Sequence, residues 1–109
     1  MAYDEVLAHR IREVVGDEVG IDEKKMFGGL AVMLDGNMAV GVSGDEMMVR
    51  VGLDGFEEAL SHEGVRPFEM SGNRMKGWIL VGGDAIAEDP GLQYWVDIGM
   101  AFAGSLPPK

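Results

Sequence analysis

The chain has 109 residues, 47% of them apolar, no cysteine and a formal net charge of −10. The length suits one domain with a modest core, the missing cysteine excludes disulfides, thiolate metal sites and a cysteine nucleophile, and no apolar run approaches the ~18 residues of a membrane span. The acidity opposes contact with DNA, where neutralising phosphates dominates affinity.

The first ten residues, MAYDEVLAHR, have acids where a signal peptide has bases. The expectation is a soluble, cytoplasmic protein with no membrane contact and no direct nucleic-acid partner. Tyr3 to Val15 reads as a helix: Leu7, Ile11, Val14 and Val15 recur at helical spacing, Asp4 and Glu5 sit in the first turn, and Gly16 is the stop. Lys24 to Leu34 reads as one strand, Met38 to Val42 as a second and Met47 to Val51 as a third, with DGN and SGDE as the turns.

Parity sets the register of these strands. Leu30, Val32 and Leu34 are the large even residues of the first, and Met38, Val40 and Val42 those of the second. A three-residue loop, Asp35-Gly36-Asn37, pairs Leu34 with Met38, Val32 with Val40 and Leu30 with Val42. A two-residue turn sets large residues against Ala39 and Gly41 instead, so the longer loop is favoured. The second turn pairs Val42 with Met47 and Val40 with Val49. One face becomes an apolar floor. The other carries Lys25, Phe27, Gly29, Ala31, Met33, Ala39, Gly41, Met48 and Arg50, and these small residues suggest a face that is partly open or closely approached by another backbone.

Asp54 to His62 reads as a short helix whose Asp54 and Glu57 match a capping box. Val65 to Met70 and Lys76 to Val81 are two further strands. Asp89 and Pro90 open a last helix, with Asp89 as cap, along which Leu92, Trp95, Val96, Gly99, Phe102 and Ala103 trace one face. The predicted fold class is α+β: a two-layer sandwich with an antiparallel sheet of about five strands in the order α-βββ-α-ββ-α.

The glycine pair Gly28-Gly29 tests for a phosphate-binding loop. That chemistry needs glycines at a strand-to-helix turn, whereas here Leu30 to Leu34 continue as strand. The pair reads as a structural motif, a bulge or close packing. An EF-hand frame from Asp35 to Glu46 fails, because Ala39 and Val40 stand where a ligand and a glycine are required. His9 and Glu13 share a helical face, but a third metal ligand is missing from view. GVSGD is not a nucleophile elbow. No catalytic residue, metal or cofactor is predicted. Of the nine methionines, Met26 and Met38 are assigned to the core, while Met33 and Met48 are candidates for the outer face.

The segments KKMFGG, GNMAVGV, MVRVG, GVRPFEMSGNRMKGWILV and WVDIGMAFAGSLPPK carry a resemblance to the TfoX N-terminal domain family, from about Tyr3 to Lys109. The resemblance implies a small α+β domain of a bacterial protein, with an element order similar to that of dimeric secretion chaperones. TfoX-type proteins are implicated in turning on genes for natural DNA uptake. Those regulators carry a second, C-terminal domain, and this chain ends where it would begin. The resemblance implies no catalytic residue.

The leading expectation is therefore a non-enzymatic regulatory or protein-interaction module, with an unidentified protein partner or a second copy as its target, and a homodimer as the assembly. The alternative is a small-ligand domain, binding an anion through a basic and aromatic patch of Lys25, Phe27, Arg50, Lys76 and Trp78. Against that patch stands the ordinary role of basic stems, which lie over apolar surface with their charges in water.

Overall fold

Asp4 starts the first helix by satisfying two of its free N–H groups. Its carboxylate accepts from Val6 at 2.9 Å and Leu7 at 3.2 Å. Helix α1 then runs over Glu5–Val15, buries Leu7, Ala8 and Ile11, and ends at Gly16, whose φ of 65° favours glycine. In the computed structural model, residues 3–26, 29–70 and 72–108 are described.

The expected strand from Lys24 to Leu34 is two strands. β1, Ile21–Met26, and β2, Gly29–Leu34, pair antiparallel from Ile21 opposite Leu34 to Met26 opposite Gly29. Phe27 and Gly28, between them, lie outside the described residues, so the reading of Gly28 as part of a structural motif is not addressed. Gly29 is closely packed as expected: a Cβ there would collide with the Val42 carbonyl oxygen. The chain reverses within what reads as one apolar run, and alternation cannot be carried from Lys25 to Gly29 as if along one strand.

β3, Asn37–Ser43, and β4, Glu46–Arg50, complete a four-strand meander. The first of its turns corrects the predicted loop. Leu34 pairs with Asn37, so Asp35 and Gly36 alone form the turn, at φ of 52° and 85°. Two positive φ values define the hairpin turn that matches strand twist. Met33 consequently faces Met38, and Leu34 does not. A register shift at Val32/Met33 then restores Val32 opposite Val40 and Leu30 opposite Val42, the pairs that parity predicts. The extra residue is Ala39, fully buried, and α4 lies against its carbonyl at Gly99. Val42 faces Met47 and Val40 faces Val49, as predicted.

Helix α2, Gly52–Leu60, starts two residues before the predicted Asp54 and has no side-chain cap, so the capping box does not form. β5, Val65–Met70, and β6, Asn73–Val81, follow; a short helix α3, Asp84–Ala87, precedes α4, Asp89–Gly104. Pro90 lies in the first turn of α4, but the N-cap is Glu88 rather than Asp89. Among the described residues the sheet has six strands rather than about five, all antiparallel, in the order β1-β2-β3-β4-β6-β5. The α+β class holds, and among the described residues no helix is long and apolar enough to cross a membrane.

The floor packs under the helices. Leu30, Val32, Val40, Val42, Met47, Val49, Ile79 and Val81 join Ile11, Phe56, Leu92, Trp95 and Val96 in the main core. The opposite face, expected to be partly open or closely approached by another backbone, is buried. Ala31 and Met48 are each 1% exposed, and Met33, Met38, Phe68 and Leu80 close a second cluster with them. Its small residues make room for methionine: the Met38 methyl lies 2.9 Å from where a Cβ on Gly41 would stand. Unbranched thioether chains cover such gaps without a helix. Met33 and Met48 therefore belong to the core, and the small residues mark close packing.

Candidate functional site

Arg50, the last residue of β4, pairs with Trp78 of β6, so their side chains share a face. The Arg50 guanidinium carbon lies 5.1 Å from the Trp78 ring centroid and 5.2 Å from that of Phe102 on α4. All three residues are half-buried. A cation within about 6 Å of an aromatic face gains roughly 0.5–2 kcal/mol, depending on desolvation.

The backbone beneath this cluster is specialised. The Val51 N–H donates to the Gly77 carbonyl at 2.8 Å, which ties the end of β4 to β6. Gly77 has φ of 87°, and a Cβ on it would approach Gly52 within 3.3 Å. Gly52, at φ of 82°, lies directly under the Phe102 ring, which occupies the place of a Cβ. Two glycines in the left-handed region thus let the strand-to-helix junction close against β6 and α4. Leu53, the next residue, is 71% exposed, and Lys76 is exposed beside half-buried Met75.

The predicted patch is only partly assembled. Arg50 and Trp78 meet, and Lys76 lies two residues from Trp78 on the same strand. Lys25 pairs with Leu30 on the helix-facing side, on β1, and β2 and β3 separate it from β4. Phe27 lies outside the described residues. Phe102 and Leu53 are additions. Phe102 fits the apolar stripe of α4 in the sequence, and nothing local signals that its ring meets an arginine from the sheet.

Among the described residues three of the five arginines are paired, and of the two that are not, Arg50 and exposed Arg74, Arg50 is the one held over aromatic rings. Arg10 pairs with Asp89 at 3.4 Å, Arg12 with Glu23 at 2.7 Å, and Arg66 with Glu46. The Arg12 hydrogen bond holds the Glu23 carboxyl below its usual range. Arg50 has no carboxylate partner among the described residues, although the chain has 19 acids. Its planar N–H fork can meet a carboxylate or carbonyl from outside while the rings offer apolar area.

Other surfaces carry less. A cleft of about 860 Å³ is lined by Asp45, Glu46, Glu63, Asp84 and Arg66 among others, and Arg66 bonds Glu46 within it. His9 and Glu13 lie 3.7 Å apart, both largely exposed. His62 contacts Glu58 at 3.2 Å and stacks edge-on to Trp95 at 5.1 Å. Among the described residues no group of three metal-ligating side chains converges.

A six-strand antiparallel sheet with helices on one side and a methionine-packed second face defines a small α+β domain. The model of the TfoX N-terminal domain family matches residues 13–103, and the chain belongs to that family. No curated protein and no solved structure matches the chain.

Proposed function

We propose that this domain is a non-enzymatic, regulatory interaction module that recognises a protein partner through the surface around Arg50, Trp78 and Phe102. The observation that carries the reading is the Arg50 guanidinium, held over two rings with no carboxylate partner among the described residues. Tryptophan, arginine, phenylalanine and methionine are the residues enriched at the centres of protein interfaces. Leu53 extends the apolar area. The likeness to TfoX-type regulators supports a regulatory setting, and the net charge of −10 favours action through a protein rather than by gripping DNA.

The test is affinity capture from the native host. The wild-type domain retains a protein that Arg50→Glu and Trp78→Ala both lose. Arg10→Glu makes the same charge change on an arginine already paired with Asp89, and it retains that protein. Equal recovery by all four chains would overturn the reading. The free N–H groups of Arg50 also favour a second reading, a small carboxylate or phosphate ligand. Calorimetry with succinate and inorganic phosphate separates the two: binding that Arg50→Glu abolishes points to the small ligand.

A further inference from the structure

The two edges of the sheet are built differently. β5 has Pro67 in its middle and loses register between Pro67 and Glu69. Both features blunt an edge against pairing with another chain. β1 has neither and pairs with β2 over six consecutive residues without a shift, so its one blunting device is charge, in Asp22, Glu23, Lys24 and Lys25.

The bonding phase of β1 follows from two contacts. The Asp35 N–H donates to the Gly20 carbonyl at 2.9 Å, across the pair that precedes Ile21 and Leu34. Bonded positions alternate in an antiparallel ladder. Asp22 and Lys24 therefore turn their backbone groups toward β2, while Ile21, Glu23 and Lys25 turn theirs to the free edge. The Glu23 N–H agrees, since the Asp22 carboxylate takes it at 2.9 Å.

Charge singles out the same edge. The chain carries −10, but Asp22-Glu23-Lys24-Lys25 is neutral as a unit, and Arg12 is bonded to Glu23. Two copies repel over most of their surface and not here. The acids precede the bases, so the strand is complementary to itself when run antiparallel.

We propose that a second copy of this chain adds to β1 about a two-fold axis through Glu23, joining the two sheets into one. Asp22 then faces Lys24 of the second copy, twice by symmetry, and Ile21 faces its Lys25. The outward backbone groups of Ile21, Glu23 and Lys25 are all satisfied, by about six hydrogen bonds. Asp22 releases the Glu23 N–H to a carbonyl across the seam and turns to the facing ammonium. The two Glu23 side chains meet on the axis, each already held by Arg12 at 2.7 and 2.9 Å. Other registers fit worse. A slip of one residue sets the helix-bearing face of one copy beside the bare face of the other. Centring on Lys24 brings two lysines together without acids of their own and leaves Ile21 unpaired within β1.

Sedimentation equilibrium tests this on the full chain. At ~100 μM the wild type sediments as a dimer of the 11.7 kDa chain. Lys24→Glu turns both Asp22–Lys24 contacts into repulsions and weakens the dimer by roughly tenfold or more. The double variant Asp22→Lys/Lys24→Glu restores it. Both residues are exposed, and circular dichroism checks that each variant folds. The chain has no cysteine, so Glu23→Cys, on the axis, oxidises to a covalent dimer, whereas Arg66→Cys on β5 does not. A monomeric wild type, a dimer indifferent to Lys24→Glu, or a loss that the double variant does not rescue would each overturn the proposal. Arg50→Glu leaves the dimer intact, so this result is independent of partner capture at Arg50.

Discussion

Asn37 donates its side-chain N–H to the Pro107 carbonyl at 3.0 Å, joining residues 70 positions apart. Asn37 is only 2% exposed at the start of β3, and Pro107 lies in the tail beyond α4. The bond fixes the tail against the sheet and satisfies a buried amide that would otherwise be costly. Asn37→Ala should destabilise the fold by about 1–2 kcal/mol, and so should truncation after Leu106. Combined, they should cost little more than either alone, which a double-mutant cycle in urea measures. Strict additivity would show that the bond contributes nothing.

Gly29 and its neighbours give a ranked test of the sheet. Leu30→Ala removes a floor side chain and should cost roughly 2–5 kcal/mol. Gly29→Ala puts a methyl group onto the Val42 carbonyl oxygen, so backbone must move, at about 1–3 kcal/mol or more. Ala31→Ser buries a hydroxyl in the methionine cluster and should cost about 1–3 kcal/mol unless it finds a partner. Urea denaturation that finds Ala31→Ser silent would contradict the burial of the second face.

Met48 tests that face directly. It is 1% exposed, so Met48→Ala should cost roughly 2–5 kcal/mol, as for a core residue. Met48→Leu, nearly equal in volume, should cost less than about 1.5 kcal/mol. A surface methionine would show less than about 0.5 kcal/mol for either change. Thermal melts of the two variants separate these cases.

Glu23 links stability to acid. Its folded pKa lies below the ordinary value of 4.5 because Arg12 bonds its ionised form. A lowered folded pKa means that the stabilisation is fully present above the ordinary value and is lost as pH falls through the folded one. The pair is partly exposed, so the effect should be below about 1 kcal/mol. Glu23→Gln should therefore be slightly less stable than wild type at pH 7, and the gap should narrow as pH falls below 4.5 and close beneath the folded pKa. A gap that persists unchanged at pH 3 would show that the variant acts through packing instead.

Gly52 tests how the Arg50 cluster is supported. Gly52→Ala combines a positive φ with a collision at the Phe102 ring. It should destabilise by about 1 kcal/mol or more and displace Phe102 from Arg50. Nuclear magnetic resonance shifts of the Arg50 side chain, which sense the ring currents, should move toward solvent values. Unchanged shifts would mean that Phe102 does not hold Arg50.

Much of this protein was legible in one dimension. The spacing of Leu7 and Ile11 marks α1 and Gly16 its end, Asp4 turns out to be the N-cap rather than a residue of the first turn, and Pro90 marks the start of α4. The alternation of Leu30, Val32, Val40, Val42, Met47 and Val49 sets the floor and most of its pairing. Arg50 at the end of its strand and Trp78 within its own are recognisable as unusual strand residues. These signals are local, because helix and strand periods and capping groups act over a few residues.

Tertiary structure decided the rest. Whether Lys24 to Leu34 was one strand or two depended on where the chain could reverse, and its apolar residues suited either. A two-residue turn with a bulge at Ala39 keeps Val32 opposite Val40 and Leu30 opposite Val42, as a three-residue loop does, and changes only the pairs beside the turn, so parity along the strands could not separate them; the approach of Gly99 on α4 marks the bulge. The small residues Ala31 and Gly41 suited an open face or a closely approached one, and methionines from their own and neighbouring strands decided for close packing. Phe102 reached Arg50, and Lys25 was kept away from it, through strand order and helix packing. Sequence periodicity tells each side chain which way to face, but only the assembled sheet decides which other side chains it meets there.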